Sequence, residues 1–227
     1  MLLENTNINI IDLSKHLDPE TESRRCKIRR FNTGGPIPDF HTDMDLTTHL
    51  GTHVETPYHH DDNWADVLEL PVTHFVGRCV YLNLENCEPN QHITAADLDK
   101  ASKGRVQKGD VVIIDSPYQI PPFTNLTNTE VDKRLFIGVE SANWFKEKEV
   151  KCVGFGDGVS IENCNEDVKP FHDILMEQNI TFIEVLKNLD KLSQEVFFIV
   201  FQPLPIKGID SSPVRVIAIE NLPPFID

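Results

Sequence analysis

Short apolar runs alternate with polar, turn-forming segments along the 227-residue chain. Runs rich in Val, Ile, Leu and Phe are typical of buried strands, because branched and aromatic side chains pack well on a pleated surface. The pattern predicts strands at residues 8–13, 79–84, 111–115, 150–155, 196–201 and 214–219. Gly109 and Asp110 directly precede the third of these strands and predict a turn into a buried segment.

Three segments between these strands have helical features. Thr94 is followed three residues later by Asp97, a variant of the capping box that predicts a helix start. Residues 139–148 and 171–178 are further predicted helices, and Asn179 can end the last one in a left-handed conformation. Alternating strands and helices indicate an α/β or α+β protein with a mixed sheet.

Glycines are concentrated at residues 154–158, where the sequence Gly-Phe-Gly-Asp-Gly follows a predicted strand. A dinucleotide-binding loop has the spacing G-x-G-x-x-G and opens a helix. This segment lacks the complete spacing and precedes no clear helix. We therefore expect a loop beside a functional site, since loops at strand ends often carry function.

Acidic residues outnumber basic ones, with 36 Asp and Glu against 21 Lys and Arg and a formal net charge of -15. This balance opposes nonspecific binding to nucleic acid and to anionic membranes. No run approaches the roughly 18 apolar residues that span a bilayer, and the N-terminus lacks a signal-peptide pattern. We expect a soluble, cytoplasmic protein with a single domain over residues 1–227, because length and even composition suggest no linker.

Five cysteines are odd in number and form no C-x-x-C pair, so no disulfide scaffold is expected. Cys79 and Cys152 lie within apolar runs and are predicted to be buried thiols. Cys164 lies in a polar segment and has no clear assignment. A Cys-His hydrolase is an alternative for which the sequence shows no nucleophile signature.

Four of the nine histidines fall between residues 49 and 60. His49, His53, Glu55 and His59 all occupy odd positions, so an extended segment would direct their side chains to one face. Pro57 removes a backbone donor and disfavours helix before it, which favours a strand that runs into a turn. Imidazole and carboxylate groups are typical ligands of zinc and its first-row neighbours. The cluster therefore predicts a metal-bound hydrolytic site.

Other interpretations of this cluster remain. His49 and His53 are spaced as neighbours on a helix surface, and a polar loop could hold solvated histidines. The helical zinc-protease motif does not fit, because that motif places its acid directly after the first histidine, where this chain has Leu50.

The order of the cluster, H-x-G-T-H-x-E-x-P-x-H over residues 49–59, closely resembles the signature of the cyclase-like metal-dependent hydrolase family. That family includes bacterial kynurenine formamidases and isatin hydrolases. The similarity also includes residues 11–14, 109–112 and 208–215, and thus covers nearly the entire chain. The resemblance implies an α/β fold, a compact swivelling β/β/α-type domain with a mixed, barrel-like β core. It also implies homo-oligomers in which a neighbouring subunit approaches the pocket.

The resemblance further implies a site for a divalent transition metal, zinc or manganese, with up to two ions per subunit. A distal histidine and a glutamate twelve residues later complete the site in the family. The implied metal ligands in this chain are His49, His53, Glu55, His172 and Glu184. His59 is the implied catalytic acid/base. Glu55 stands where the family motif usually has aspartate, so metal identity and substrate do not transfer directly.

The implied activity is that of a metal-dependent hydrolase that uses metal-activated water on a carbon–nitrogen bond other than a peptide bond. A small cyclic or aryl amide is the preferred substrate class, with lactones or esters next. A metal-dependent lyase or dehydratase and a noncatalytic metal-binding protein are the alternatives. The candidate aromatic residues of the pocket are Tyr58, Trp64, Phe75 and Tyr118.

Overall fold

A mixed sheet of nine strands curls into a half-barrel at the centre of the structure, a computed structural model that describes residues 7–162 and 166–222. Its strands are β1 (Asn9–Asp12), β4 (His53–Glu55), β5 (Val76–Asn83), β6 (Val111–Asp115), β8 (Cys152–Phe155), β10 (Thr181–Glu184), β11 (Val196–Val200), β12 (Ser211–Pro213) and β13 (Ile217–Glu220). The order across the sheet is β1-β13-β11-β5-β6-β8-β10-β4-β12. The neighbours β5, β6, β8 and β10 run parallel, and the remaining pairs are antiparallel.

The remaining elements are four short strands and three helices. The strands are β2 (Cys26–Asn32), β3 (Phe40–Leu46), β7 (Leu135–Phe136) and β9 (Val159–Ser160). The helices are α1 (Ala95–Ser102), α2 (Val139–Glu147) and α3 (Val168–Met176). Single 3-10 turns cover Pro57–His59, Val72–Phe75 and Leu189–Lys191.

Hydrophobic side chains cover both faces of the parallel part of the sheet. In β6, Val112 and Ile114 belong to the core that packs against the helices, whereas Val111 and Ile113 belong to the core on the other face. This alternation follows from the two-residue period of a strand, and parallel strands covered on both faces are apolar throughout. The prediction of a mixed α/β fold is therefore confirmed.

The predicted helices are confirmed, with one shifted boundary. Asp97 and Thr94 form the reciprocal capping box at the start of α1. Helix α3 begins at Val168, three residues before its predicted start, and Pro170 lies within its first turn. Proline is tolerated there because the first N–H groups of a helix have no intrahelical partner. Asn179 has a left-handed φ of 57°, as expected.

All six predicted strands are present, but the sequence pattern missed others. Strands β2 and β3 pair over seven residues, from Cys26 with Leu46 to Asn32 with Phe40. Phe40, Met44 and Leu46 alternate with His41, Asp43 and Asp45 along β3, but the hairpin contains no continuous apolar run of the kind that marks the buried strands. The other missed strands, β7, β9, β10 and β12, are two to four residues long, too short for a periodicity to be recognised.

The glycine segment at residues 154–158 forms a turn that packs on Asp115. The Asp115 carboxylate accepts a hydrogen bond of 2.8 Å from the Gly158 N–H. A Cβ atom on Gly156 would lie 2.3 Å from the Asp115 carboxyl carbon, so this glycine leaves room for the carboxylate. The predicted loop is present, and its glycines serve close packing.

The predicted burial of Cys79 and Cys152 is confirmed, and Cys26 and Cys87 are also buried free thiols. Burial raises the pKa of Cys152 to about 12, which leaves this thiol protonated and unreactive near neutral pH. Cys164 lies outside the described residues. Among the described helices, none is long and apolar enough to cross a membrane.

Candidate functional site

Two adjacent strands bring histidine and carboxylate side chains together. In the antiparallel pair β4 and β10, His53 lies directly opposite Glu184. Glu55 is two residues after His53 on β4, so both side chains leave the sheet on the same face. His53 Nε2 lies 3.3 Å from Glu55 Oε1 and 3.6 Å from Glu184 Oε2. All three residues are buried.

His49 reaches the same cluster from a bend, and the predicted extended segment is only partly correct. Strand β4 covers His53–Glu55, whereas Gly51 adopts a left-handed φ of 61° between His49 and the strand. A Cβ atom on Gly51 would also lie 2.6 Å from Leu17 Cδ2, so glycine is favoured there. The bend places His49 Nδ1 2.6 Å from Glu55 Oε1.

Helix α3 supplies His172, which faces the cluster from the other side. Its Nδ1 donates to the Val168 carbonyl oxygen at 2.7 Å, and its Nε2 lies 3.9 Å from Glu55 Oε2. The Nδ1 of His53 likewise donates to the Gly51 carbonyl oxygen at 2.8 Å. Such backbone bonds orient each ring so that its Nε2 faces the cluster, as in histidine ligands of metals. Burial also lowers the pKa of His172 to about 4, which keeps this ring neutral.

The two buried glutamates have opposite electrostatic environments. Burial raises the pKa of Glu55, but hydrogen bonds with His49 and His53 outweigh it and hold this pKa well below its usual value. Burial and the nearby charge of Glu55 raise the pKa of Glu184 well above its usual value. Two carboxylates in one buried site repel each other unless a cation lies between them.

The donor set fits a divalent metal. Glu55 Oε2 is buried and accepts no hydrogen bond from any residue that the structure describes. Ligand atoms of His53, Glu55 and Glu184 lie within 4.8 Å of one another, and so do those of His49, Glu55 and His59. Imidazole nitrogens and carboxylate oxygens in this arrangement suit zinc and manganese. A metal ion would also satisfy the unpaired oxygen of Glu55.

Asp210, which precedes β12, joins two of the histidines and was not predicted as a site residue. Its Oδ2 lies 2.8 Å from His49 Nε2 and 3.1 Å from His59 Nδ1. Burial opposes protonation of His49, but hydrogen bonds to Asp210 and Glu55 outweigh it and raise the pKa of His49 to about 10. Hydrogen bonds from His49 and His59 in turn hold the pKa of Asp210 far below its usual value. The sequence indicated Asp210 through its position in residues 208–215, a segment that resembles the hydrolase family.

His59 lies in the 3-10 turn Pro57–His59 and is exposed to the cavity that adjoins the cluster. The next residue, His60, stacks on His172 with ring centroids 4.8 Å apart and an interplanar angle of 7°. His60 Nδ1 also lies 2.6 Å from Asp173 Oδ1. Sequence reasoning did not single out His60, although its adjacency to His59 was visible.

A cavity of about 510 Å³ opens beside these groups. Its apolar lining residues include Phe123, Ile161 and Val168. The predicted aromatic residues lie elsewhere. Phe75 is buried in the hydrophobic core, Trp64 and Tyr118 pack against the core, and Tyr58 does not line this cavity.

All six predicted site residues thus lie in one cluster beside one cavity. They are His49, His53, Glu55, His59, His172 and Glu184. Two strands, one helix, one 3-10 turn and one bend contribute them, and only the order of the four within residues 49–59 was visible locally in the sequence.

Known proteins with similar sequences are kynurenine formamidases. The enzyme of Bacillus thuringiensis subsp. konkukian is 22% identical over 174 residues, which cover 77% of each chain. The enzyme of Geobacillus thermodenitrificans is 26% identical over 174 residues, which cover 76% of each chain.

Solved structures share the fold. Isatin hydrolase A from Ralstonia solanacearum superposes with a TM-score of 0.75 and 22% identity, over 94% of this chain and 92% of that one. A potential metal-dependent hydrolase with cyclase activity superposes with a TM-score of 0.71 and 22% identity, over 95% of this chain and all of that one.

The sequence also matches the model of a protein family. The model of the Cyclase family matches residues 11–163, which are more than half of the chain and include the histidine cluster of residues 49–60. The chain belongs to the Cyclase family.

Proposed function

We propose that this protein is a metal-dependent hydrolase that cleaves the carbon–nitrogen bond of a small cyclic or aryl amide. The observation that carries the proposal is the buried cluster of histidines and glutamates, with the unpaired Glu55 Oε2, beside a cavity of about 510 Å³. A cavity of this size accommodates a small aromatic molecule. The kynurenine formamidases and isatin hydrolases to which the chain is similar support the same class of substrate.

We assign the metal ligands to five imidazole and carboxylate donors of the cluster. They are His49, His53, Glu55, His172 and Glu184. This set can hold up to two divalent transition ions, zinc or manganese. Glu55 can serve both ions, because its Oε1 lies beside His53 and its Oε2 faces His172. A bound ion of this kind polarises a carbonyl oxygen and lowers the pKa of water toward neutrality.

His59 is the proposed acid/base residue. It is exposed to the cavity, and its Nδ1 is oriented by Asp210 Oδ2 at 3.1 Å, which leaves Nε2 for proton transfer. In hydrolysis His59 takes a proton from the attacking water and returns it to the departing nitrogen, while the carbonyl carbon gains the water oxygen. The products are a carboxylic acid and an amine, and no covalent bond to the protein forms. The apolar side chains of Phe123, Ile161 and Val168 would contact the aromatic part of the substrate.

Measurement of metal content, followed by a screen of amides, lactones and esters, tests the proposal. We expect metal in the purified protein and turnover of an aryl amide that incorporates one solvent oxygen into the acid product. Turnover without solvent oxygen would instead indicate a lyase or dehydratase. Bound metal with no exchangeable water and no turnover of any carbonyl substrate would indicate a noncatalytic metal-binding protein.

A second copy of the chain is the proposed partner, and the hairpin of β2 and β3 is the proposed contact. An isolated two-stranded hairpin is marginally stable in water, yet this one exposes both faces over its length. Its exposed apolar side chains include Ile28, Phe40 and Met44. We expect a homo-oligomer by light scattering, and we expect Met44→Glu to dissociate it. A monomeric wild-type protein would contradict this proposal.

A further inference from the structure

Arg24 lies between two cavities beside the histidine cluster. One is the cavity of about 510 Å³ described above, and the other has a volume of about 440 Å³. Arg24, His49 and Phe123 line both cavities. A molecule that enters the cluster from either side therefore meets the guanidinium group of Arg24.

The guanidinium group of Arg24 has a fixed position. Its central carbon lies 4.3 Å from the centroid of the Phe123 ring, a cation–π contact. Its Nη1 donates a hydrogen bond to the backbone carbonyl oxygen of His49. The residue is half-buried, so its remaining N–H groups act in surroundings that are less polar than bulk water.

Among the described residues, the charge of Arg24 acts on the buried Glu184 without a direct ion pair. Within residues 7–162 and 166–222, Arg24 has no carboxylate partner within 4.0 Å. The lysines that line the two cavities do have such partners. The pairs are Lys15 with Glu22, Lys169 with Asp173 and Lys187 with Asp157.

Phe123, which lies under Arg24, has a strained backbone conformation and a buried hydrogen-bond partner. Its φ of 59° lies in the left-handed region, which is costly for a residue with a bulky side chain. Its backbone N–H donates to Glu162 Oε1 at 2.9 Å, and Glu162 Oε2 accepts from Arg134 Nη1 at 2.9 Å. Arg134 is completely buried and also pairs with Asp132 at 2.8 Å. A buried ion-pair network thus stabilises a strained aromatic residue at the cavity wall, which is typical of functional positions.

We propose that Arg24, supported by Phe123, binds a carboxylate group of the substrate and selects aryl amides that carry one. This inference rests on the proposed hydrolase function and names its substrate class. A guanidinium group binds a carboxylate through charge-assisted hydrogen bonds, which are stronger than neutral ones. A protein with a net charge of -15 repels anions at long range, so a local cation such as this one favours binding of an anionic substrate.

The test compares N-formyl-2-aminobenzoate, which carries a carboxylate, with the neutral formanilide. We expect the wild-type protein to prefer the anionic amide, and we expect Arg24→Gln to lower the ratio of the two kcat/KM values by roughly tenfold to a hundredfold. Arg24→Lys keeps the charge without the planar fork and should have an intermediate ratio. Arg25→Gln is the matched control, because Arg25 is exposed, pairs with Asp45 at 3.4 Å and lines neither cavity.

An unchanged ratio in Arg24→Gln would overturn the proposal, as would an equal loss on both amides. An equal shift of the ratio in Arg25→Gln would also overturn it, because the effect would then be one of net charge.

A binding measurement separates failure of this proposal from failure of the hydrolase function. Calorimetry on metal-loaded protein should detect benzoate with roughly tenfold or greater preference over benzyl alcohol, and Arg24→Gln should lose that preference. If wild-type protein hydrolyses neither amide but shows this Arg24-dependent binding, the hydrolase function fails and the carboxylate site stands. If the amides are hydrolysed and benzoate binds Arg24→Gln as well as wild type, the carboxylate site fails and the hydrolase function stands.

Discussion

Replacement of Glu184 by Gln should change stability in opposite directions without and with a divalent metal. Glu184 is 5% exposed and faces the buried Glu55 across the cluster. Burial and the charge of Glu55 raise its pKa well above 4.5, so ionisation of both carboxylates in the folded protein is costly. Glutamine has nearly the same shape and no charge. In metal-free protein, the substitution removes this cost.

The expected magnitudes follow from the burial of the two carboxylates. Without metal, Glu184→Gln should raise the free energy of unfolding by about 1–3 kcal/mol, or the melting temperature by roughly 3–8 °C for a chain of this length. Metal at about a thousand times its Kd should stabilise the wild-type protein by about 4 kcal/mol. The Glu184→Gln variant lacks a charged ligand, so metal should stabilise it less than it stabilises the wild-type protein. With metal bound, the wild-type protein should therefore be the more stable of the two.

Without metal, the difference in stability between Glu184→Gln and the wild-type protein should change with pH in one direction. A carboxyl group whose pKa is raised on folding binds more protons in the folded state, so its contribution to stability falls as pH rises above the unfolded value. The advantage of Glu184→Gln should therefore grow as pH rises from 4.5.

Thermal unfolding with a chelator, and then with added zinc or manganese, measures both effects. Glu177→Gln is the matched control, because Glu177 lies at the exposed end of α3 and should leave both melting temperatures unchanged. If Glu184→Gln shifts the melting temperature in the same direction under both conditions, Glu184 is not a metal ligand beside a second buried carboxylate.

Three further predictions concern other residues of the chain. His59→Asn should retain the metal and lower turnover roughly a hundredfold or more, and metal analysis with steady-state kinetics would contradict the assignment if activity were unchanged. Glu55→Ala should lose both metal ions, whereas Glu55→Asp should retain at least one ion. Anomalous scattering from crystals measures the metal occupancy, and full occupancy in Glu55→Ala would show that Glu55 is not a ligand shared by the two ions. Burial, with the nearby Lys151, lowers the pKa of His74 from 6.5 to about 4, so the unfolded chain binds the extra proton and stability should fall by about 3 kcal/mol as pH decreases through this range. Urea unfolding at several pH values should show that the free energy of unfolding depends less steeply on pH for His74→Gln than for wild type between pH 6.5 and pH 4. An equal pH dependence in both proteins would contradict the prediction.

The sequence predicted the parts of the site that depend on local order. His53 and Glu55 are two residues apart on one strand, and their common face follows directly from strand geometry. His172 and Glu184 could be assigned only through the family resemblance, because their meeting with Glu55 depends on the docking of α3 and on the pairing of β10 with β4.

Other site residues had no local signal. Asp210 is 161 residues from His49, and the antiparallel pairing of β12 with β4 brings them together. Arg24 and Phe123 lie in loops, where side-chain partners depend on tertiary packing rather than on a period. The hairpin of β2 and β3 was missed for a different reason, since its residues are mostly exposed and form no continuous apolar run like those of the buried strands.

The proposed metal ligands lie mainly on regular elements, whereas residues of the cavity wall lie in loops. This difference affects how the fold can acquire new substrate specificities. His53 and Glu184 are fixed by a ladder in which a slip of one residue would turn each side chain to the opposite face. Arg24 and Phe123 belong to loops, and loops in general tolerate changes in length and sequence better than paired strands do. Libraries that randomise the loops around these two positions should therefore yield variants with redirected substrate ranges and an intact metal complement. Insertions within β10 should abolish every activity together, whatever the substrate.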